Sequence, residues 1–98
     1  MPVSLTPRER VTLKGRAHAL EPVVQLGRTG LTDSVVKEVH RALTAHELIK
    51  ARILGDDRDA RQALGDALSE RTDAAVVQRV GKIIVLWRPK PDEAEDAD

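Results

Sequence analysis

Pro22-Val23-Val24-Gln25-Leu26-Gly27-Arg28-Thr29-Gly30-Leu31-Thr32 is the stretch from which the rest of the chain can be ordered. Its first five residues are apolar and β-branched, bounded by Pro22 and Gly27, and predict a strand. Gly27-Arg28-Thr29-Gly30 predicts a loop. Thr32 offers an N-cap oxygen to a following helix, with Leu31 placed to staple against Val36. Within that helix Val35, Val39, Ala42, Leu43 and His46 share one face, and Lys37, Arg41 and Thr44 the outer one.

Working outward, Thr6-Pro7-Arg8-Glu9 has the form of a capping box with Pro at the first helical position. It predicts a helix to about His18 that buries Leu13 and Ala17. Downstream, Leu48 to Leu54 alternates Lys50 and Arg52 with Ile49, Ala51 and Ile53, which predicts a second strand ended by Gly55. Asp57 caps a third helix with an Ala60, Ala63, Leu64, Ala67, Leu68 stripe. Ala75 to Val80 and Lys82 to Arg88 predict an antiparallel hairpin about Gly81. The order is α-β-α-β-α-β-β. Strands joined through helices are usually parallel, and a terminal hairpin adds an antiparallel partner. The expected fold is α/β: one small domain with a mixed four-stranded sheet packed with helices.

Charge divides the 98 residues. Sixteen Lys and Arg balance sixteen Asp and Glu, yet five of the acids (Asp92, Glu93, Glu95, Asp96, Asp98) fall in the last seven residues. Residues 1–91 hold sixteen bases against eleven acids, a net of +5, and the tail holds −5. A basic body points to a polyanionic partner. Residues 1–91 are expected to be the binding domain and 92–98 an acidic disordered tail.

Composition closes several classes. No apolar run approaches the ~20 residues that cross a bilayer, and the N-terminus lacks the apolar stretch of a signal peptide. There is no cysteine, hence no disulfide, thiol nucleophile or thiolate metal site; the expected compartment is the cytoplasm. Trp87 is the only aromatic residue, so recognition by several stacked rings is excluded. Trp87 alternates with Ile83 and Val85 and is expected to cover the sheet. The three histidines lack metal-type spacing; His40 and His46 sit about 240° apart round their helix. No serine has a nucleophile-elbow context, and no P-loop or dinucleotide fingerprint is present. The expectation is no catalytic residue, no metal and no cofactor.

Gly27-Arg28-Thr29-Gly30 is the feature with phosphate chemistry in it. Two glycines let the backbone approach a sugar-phosphate chain, and the next helix presents N–H groups and a positive dipole end. Arg28 adds a charged fork and Thr29 a hydroxyl. Lys14, Arg16, Lys37 and Arg41 are the surrounding bases. The same loop could be a steric strand-to-helix turn, and the same bases solvated helix faces.

Taken in order, Leu5-Thr6, Leu13-Lys14-Gly15-Arg16-Ala17-His18, Leu20, Pro22-Val23-Val24, Leu26 to Thr32, His46 to Lys50, Val77-Gln78, Gly81-Lys82, Val85-Leu86 and Arg88 resemble a single CRM domain of the YhbY type. These are small bacterial RNA-binding proteins associated with assembly of the large ribosomal subunit. The resemblance implies a fold similar to the C-terminal domain of translation initiation factor three. It implies that Gly27, Arg28, Thr29 and Gly30 form an RNA-backbone loop, likened to that of KH domains. Basic residues on the first two helices and the adjoining sheet would extend the surface. It further implies precursor ribosomal RNA in pre-50S particles as partner, since plant relatives acting in group II intron splicing carry repeated domains. Trp87 stands where Tyr is frequent, and the tail is acidic where some relatives end in basic residues. The expected protein is a cytoplasmic, non-catalytic, monomeric RNA-binding module with no membrane or small-molecule partner. The alternative is a protein-interaction adaptor using its acidic tail or an exposed helix face.

Overall fold

A computed structural model describes residues 4–27 and 30–89. Arg28, Thr29 and the acidic tail lie outside the described residues. Helix α1 (Pro7–Ala17) starts where its capping box predicts: the Thr6 hydroxyl accepts from the Glu9 N–H at 3.1 Å, and the Glu9 carboxylate accepts from the Thr6 N–H at 2.9 Å. Then follow β1 (Pro22–Leu26), α2 (Asp33–His46), β2 (Leu48–Ile53), α3 (Arg58–Thr72), β3 (Ala75–Val80) and β4 (Ile83–Trp87). This is the order read from the sequence, with β2 and β4 each trimmed by a residue or two at the ends.

The sheet order is β1-β2-β4-β3. β1 and β2 are parallel, joined through α2, and the terminal hairpin inserts β4 antiparallel between β2 and β3. A period of two then divides the sheet residues between faces. Val24, Leu26, Ile49, Ala51, Ile53, Ile84 and Leu86 face α2 and α3, where Val36, Val39, Leu43 and Leu68 complete a buried cluster. Leu48, Val77 and Val85 face α1, closing on Leu13 and Ala17, with Leu5, Ile83 and Trp87 half-buried beside them. Trp87 therefore covers the sheet under α1, as its alternation predicted. Each fully buried Leu or Ile in these clusters contributes roughly 1.5–3 kcal/mol.

On α2 the predicted stripe meets the core at Val35, Val39, Ala42 and Leu43, with Val36 also buried, and of that stripe only His46 is exposed. The third helix sits differently from its predicted stripe. On α3, Ala60 and Ala63 are exposed, and the buried face is Gly65, Leu68, Ser69 and Thr72. The cause is the closeness of α3 to the sheet. A Cβ at Gly65 would stand 2.8 Å from Ile84 Cδ1, so the helix presents its smallest residues there rather than its alanine stripe. The two buried hydroxyls are satisfied locally: Ser69 donates to the Ala74 carbonyl at 2.6 Å, and Thr72 to the Leu68 carbonyl at 2.7 Å.

Candidate nucleic-acid interface

β1 delivers the chain to the 27–30 loop at the end of the sheet where β2 also finishes. The Leu54 N–H donates to the Leu26 carbonyl at 3.0 Å, and the Ile53 N–H to the Lys82 carbonyl at 2.7 Å. The loop, the end of β2 and the β3–β4 turn thus share one end of the sheet. Across the loop, the Gly30 N–H donates to the Gly27 carbonyl at 3.0 Å, closing a four-residue turn. Gly30 holds φ +70°, a left-handed conformation that favours glycine. Arg28 and Thr29, the residues between, lie outside the described residues.

The start of α2 is less open to an anion than its sequence suggests. The Thr32 hydroxyl accepts from the Val35 N–H at 3.1 Å, using one of the free donors. Asp33 then places a carboxylate in the first turn, 3.0 Å from the Arg71 guanidinium. A phosphate arriving at this helix end would meet a competing negative charge.

The cations fall into two groups. Arg10 donates to the Val77 carbonyl at 3.0 Å, Arg71 pairs with Asp33, Arg79 with Asp66, and Arg88 with His40, Thr44 and Thr72. These hold the fold together. Lys14, Arg16, Lys37, Arg41, Lys50 and Arg52, like Arg8 and Arg58, make no side-chain hydrogen bond or ion pair among the described residues.

The uncommitted cations are not on one surface. Lys14 and Arg16 belong to α1. Lys50 and Arg52 point to the same side of the sheet as α1, since Lys50 pairs with Val85, and Arg52 with Ile83 and Gln25. Lys37 and Arg41 are exposed on α2, which covers the opposite face. The background charge differs between the two sides. Residues 4–27 and 48–53, which form α1, β1 and β2, hold six bases against two acids, a net of +4. Residues 30–47 and 54–74, which form α2, α3 and their flanks, hold five bases against nine acids, a net of −4, which Arg79, Lys82 and Arg88 of the hairpin, engaged on that side with Asp66, Asp56 and His40, bring to −1. The positive field therefore lies over the α1 face.

That face carries a groove of about 610 Å³ between the second half of α1 and the hairpin, lined by Lys14, Gly15, Ala17, His18, Lys50, Gln78, Val80, Ile83 and Val85. A second cationic cleft, on the α3 side, is lined in part by Arg58, Arg61, Arg79 and Lys82. Three of those four are already engaged: Arg61 with the Gly55 carbonyl at 2.7 Å, Arg79 with Asp66, and Lys82 with Asp56 at 3.7 Å. Among the described residues no group of three or more His, Cys, Asp or Glu could hold a metal, and no helix is long and apolar enough to cross a membrane.

The CRS1/YhbY (CRM) domain profile matches residues 5–88. The chain belongs to the CRM domain family. A Haemophilus influenzae protein named an RNA-binding protein is 45% identical over 89 residues, spanning 91% of this chain and 90% of the relative. The chloroplastic CRS2-associated factor 1 of Zea mays is 26% identical over 88 residues, which cover 90% of this chain but 13% of that protein. Among solved structures, a hypothetical protein of Staphylococcus aureus, described as a candidate RNA-binding protein, superposes with a TM-score of 0.80 at 32% identity. The match covers 94% of this chain and 96% of that one.

In this CRM domain the expected site residues do not form a single patch. Gly27 and Gly30 close the loop, and Lys14 and Arg16 lie on the positive face. Lys14 lines the groove, whereas Arg16 lines two smaller clefts at the Leu48 end of the sheet. Lys37 and Arg41 stand on the acid-rich side. Lys50, Arg52 and Gln78 were not singled out from the sequence. The alternation of Lys50 and Arg52 marked them as one side of a strand, but which side depends on β4 pairing beside β2.

Proposed function

We propose that this CRM domain binds RNA without catalysing a reaction on it. The observation that carries the reading is the partition of charge: uncommitted Lys14, Arg16, Lys50 and Arg52 gather on a +4 face that borders the 27–30 loop. Loop amides and Arg28 would hold phosphates at the end of the sheet, and the α1 face would continue the track. Lys37 and Arg41, on the opposite side, would contribute a weaker long-range attraction. The RNA-binding names of bacterial relatives support the same reading.

The finer proposal is that the RNA is precursor ribosomal RNA in pre-50S particles, bound by a cytoplasmic monomer assisting large-subunit assembly. It rests on the single-domain YhbY-type resemblance. Crosslinking in cells followed by sequencing of bound RNA, beside gradient sedimentation, tests it. Enrichment of precursor large-subunit RNA and co-sedimentation with pre-50S material are expected. Random messenger RNA with no such enrichment would overturn the ribosomal assignment while leaving RNA binding intact.

A further inference from the structure

The groove beneath the second half of α1 has chemistry that phosphate binding alone does not use. Its cations are Lys14, on α1 with His18, and Lys50, on the sheet beside Val85. Its sheet floor offers aliphatic surface at Ile83, which is half-buried, and at Val80, which is 55% exposed. Beside them on the sheet, level with Val85, stands the half-buried amide of Gln78, which has no hydrogen-bond partner among the described residues. A primary amide offers two donors and an acceptor, a set that matches the edge of a nucleobase and that a phosphate, an acceptor only, would half use.

We infer that this groove is a nucleobase subsite: an unpaired base of single-stranded RNA lies over Ile83 and Val80, with its edge towards Gln78. The phosphates on either side of it meet Lys14 and Lys50. This rests on the RNA-binding reading above and deepens it. Charge complementarity selects the occupant. The groove belongs to the +4 face, and Lys14 and Lys50 have no carboxylate partner among the described residues, so an acidic backbone with an apolar, hydrogen-bonding ring fits it better than a neutral peptide. The volume, about 610 Å³, lies within the range of small-ligand sites and leaves room for a base with its sugar. A base in a duplex cannot enter, because its edge is paired and its faces are stacked; the subsite therefore selects single strands. Trp87 plays no part, being at the far end of the same face beneath α1. Contact with the ring is aliphatic, and discrimination among bases should be modest.

The test uses the full chain and three probes of equal length: a single-stranded RNA, the same strand with abasic residues, and an RNA duplex. The single strand should bind roughly 5–20-fold more tightly than the abasic strand, as one satisfied polar contact plus apolar cover predicts. The dependence on salt should be the same for both strands, since the phosphates are unchanged. Gln78→Ala and Val80→Ser should each weaken binding of the normal strand towards the abasic level and leave abasic binding alone. Their thermal midpoints report whether folding is intact. Equal affinity for normal and abasic strands, or variants that weaken both alike, would overturn the subsite and leave the phosphate track standing. Failure of every probe to bind would instead remove the RNA-binding reading itself.

Discussion

The Arg88 guanidinium donates to the His40 ring Nδ1 at 2.8 Å and, through its other nitrogen, to the His40 carbonyl at 3.1 Å. The same fork reaches the Thr72 carbonyl at 2.7 Å and the Thr44 hydroxyl at 3.1 Å. One side chain at the end of β4 thus ties the second half of α2 to the last turn of α3. Because a guanidinium only donates, His40 Nδ1 must accept, and its ring proton sits on Nε2. Burial pushes the Arg88 pKa below its ordinary value and nearby Asp73 pushes it back up. The guanidinium stays charged throughout the physiological range, so its role as donor does not change there. Arg88→Lys keeps the charge and loses the fork, and should cost about 1–2 kcal/mol of stability. Arg88→Ala, which strands the acceptors, should cost about 2–4 kcal/mol. Urea unfolding checks both; equal stability of the lysine variant and the parent would contradict the clasp.

Two helical glycines make opposite predictions. At Gly65 a Cβ would meet Ile84 Cδ1 at 2.8 Å and an Arg79 nitrogen at 2.7 Å, so Gly65→Ala should overpack the α3 contact and cost about 1–3 kcal/mol. At Gly15 nothing lies within 4 Å, so Gly15→Ala should stabilise α1 by about 0.5–1 kcal/mol. Thermal melts of the two variants should move in opposite directions.

Charge reversal separates the two sides of the sheet. Lys50→Glu lies on the α1 face and Lys37→Glu on the acid-rich side; each changes the net charge equally. The first should weaken RNA binding by about tenfold or more, and the second by a few-fold at most, because only the first removes a direct phosphate contact. Filter binding at one fixed salt concentration decides it. Equal losses would mean that only total charge matters.

Removing residues 92–98 takes away five carboxylates. Screening acts over ~8 Å at physiological ionic strength, so an acidic tail competes with RNA only by touching the basic face. Non-specific RNA affinity should rise about two- to five-fold at low salt and the gain should vanish at high salt. An adaptor that docks its partner through the tail would instead lose that partner.

Most of the architecture is legible in the sequence, because its signals are local. The Thr6 and Thr32 caps, the β-branched run at Pro22–Leu26 and the Gly81 turn each depend on neighbouring residues, and each stands where it was expected. The α3 stripe misled because the sheet approaches at Gly65, a distance no periodicity encodes. The loop glycines were legible for the same local reason as the caps. The groove was not: Lys14 and Gln78 are 64 residues apart in sequence, and they line one groove only because α1 packs across the sheet formed by β2, β4 and β3. Lys37 and Arg41 were grouped with Lys14 and Arg16 by charge, and the layer that separates them is set by packing.

The central claim is that phosphates are held on the α1 face. The most direct measurement is the slope of log affinity against log salt concentration for single-stranded RNA, with the parent protein beside Lys14→Ala/Lys50→Ala/Arg52→Ala. Each phosphate contact on a single strand contributes about −0.7 to that slope. The parent should show a steep negative slope, and the triple variant a slope shallower by about 2. A flat plot for the parent, or the same slope for both proteins, would contradict the account.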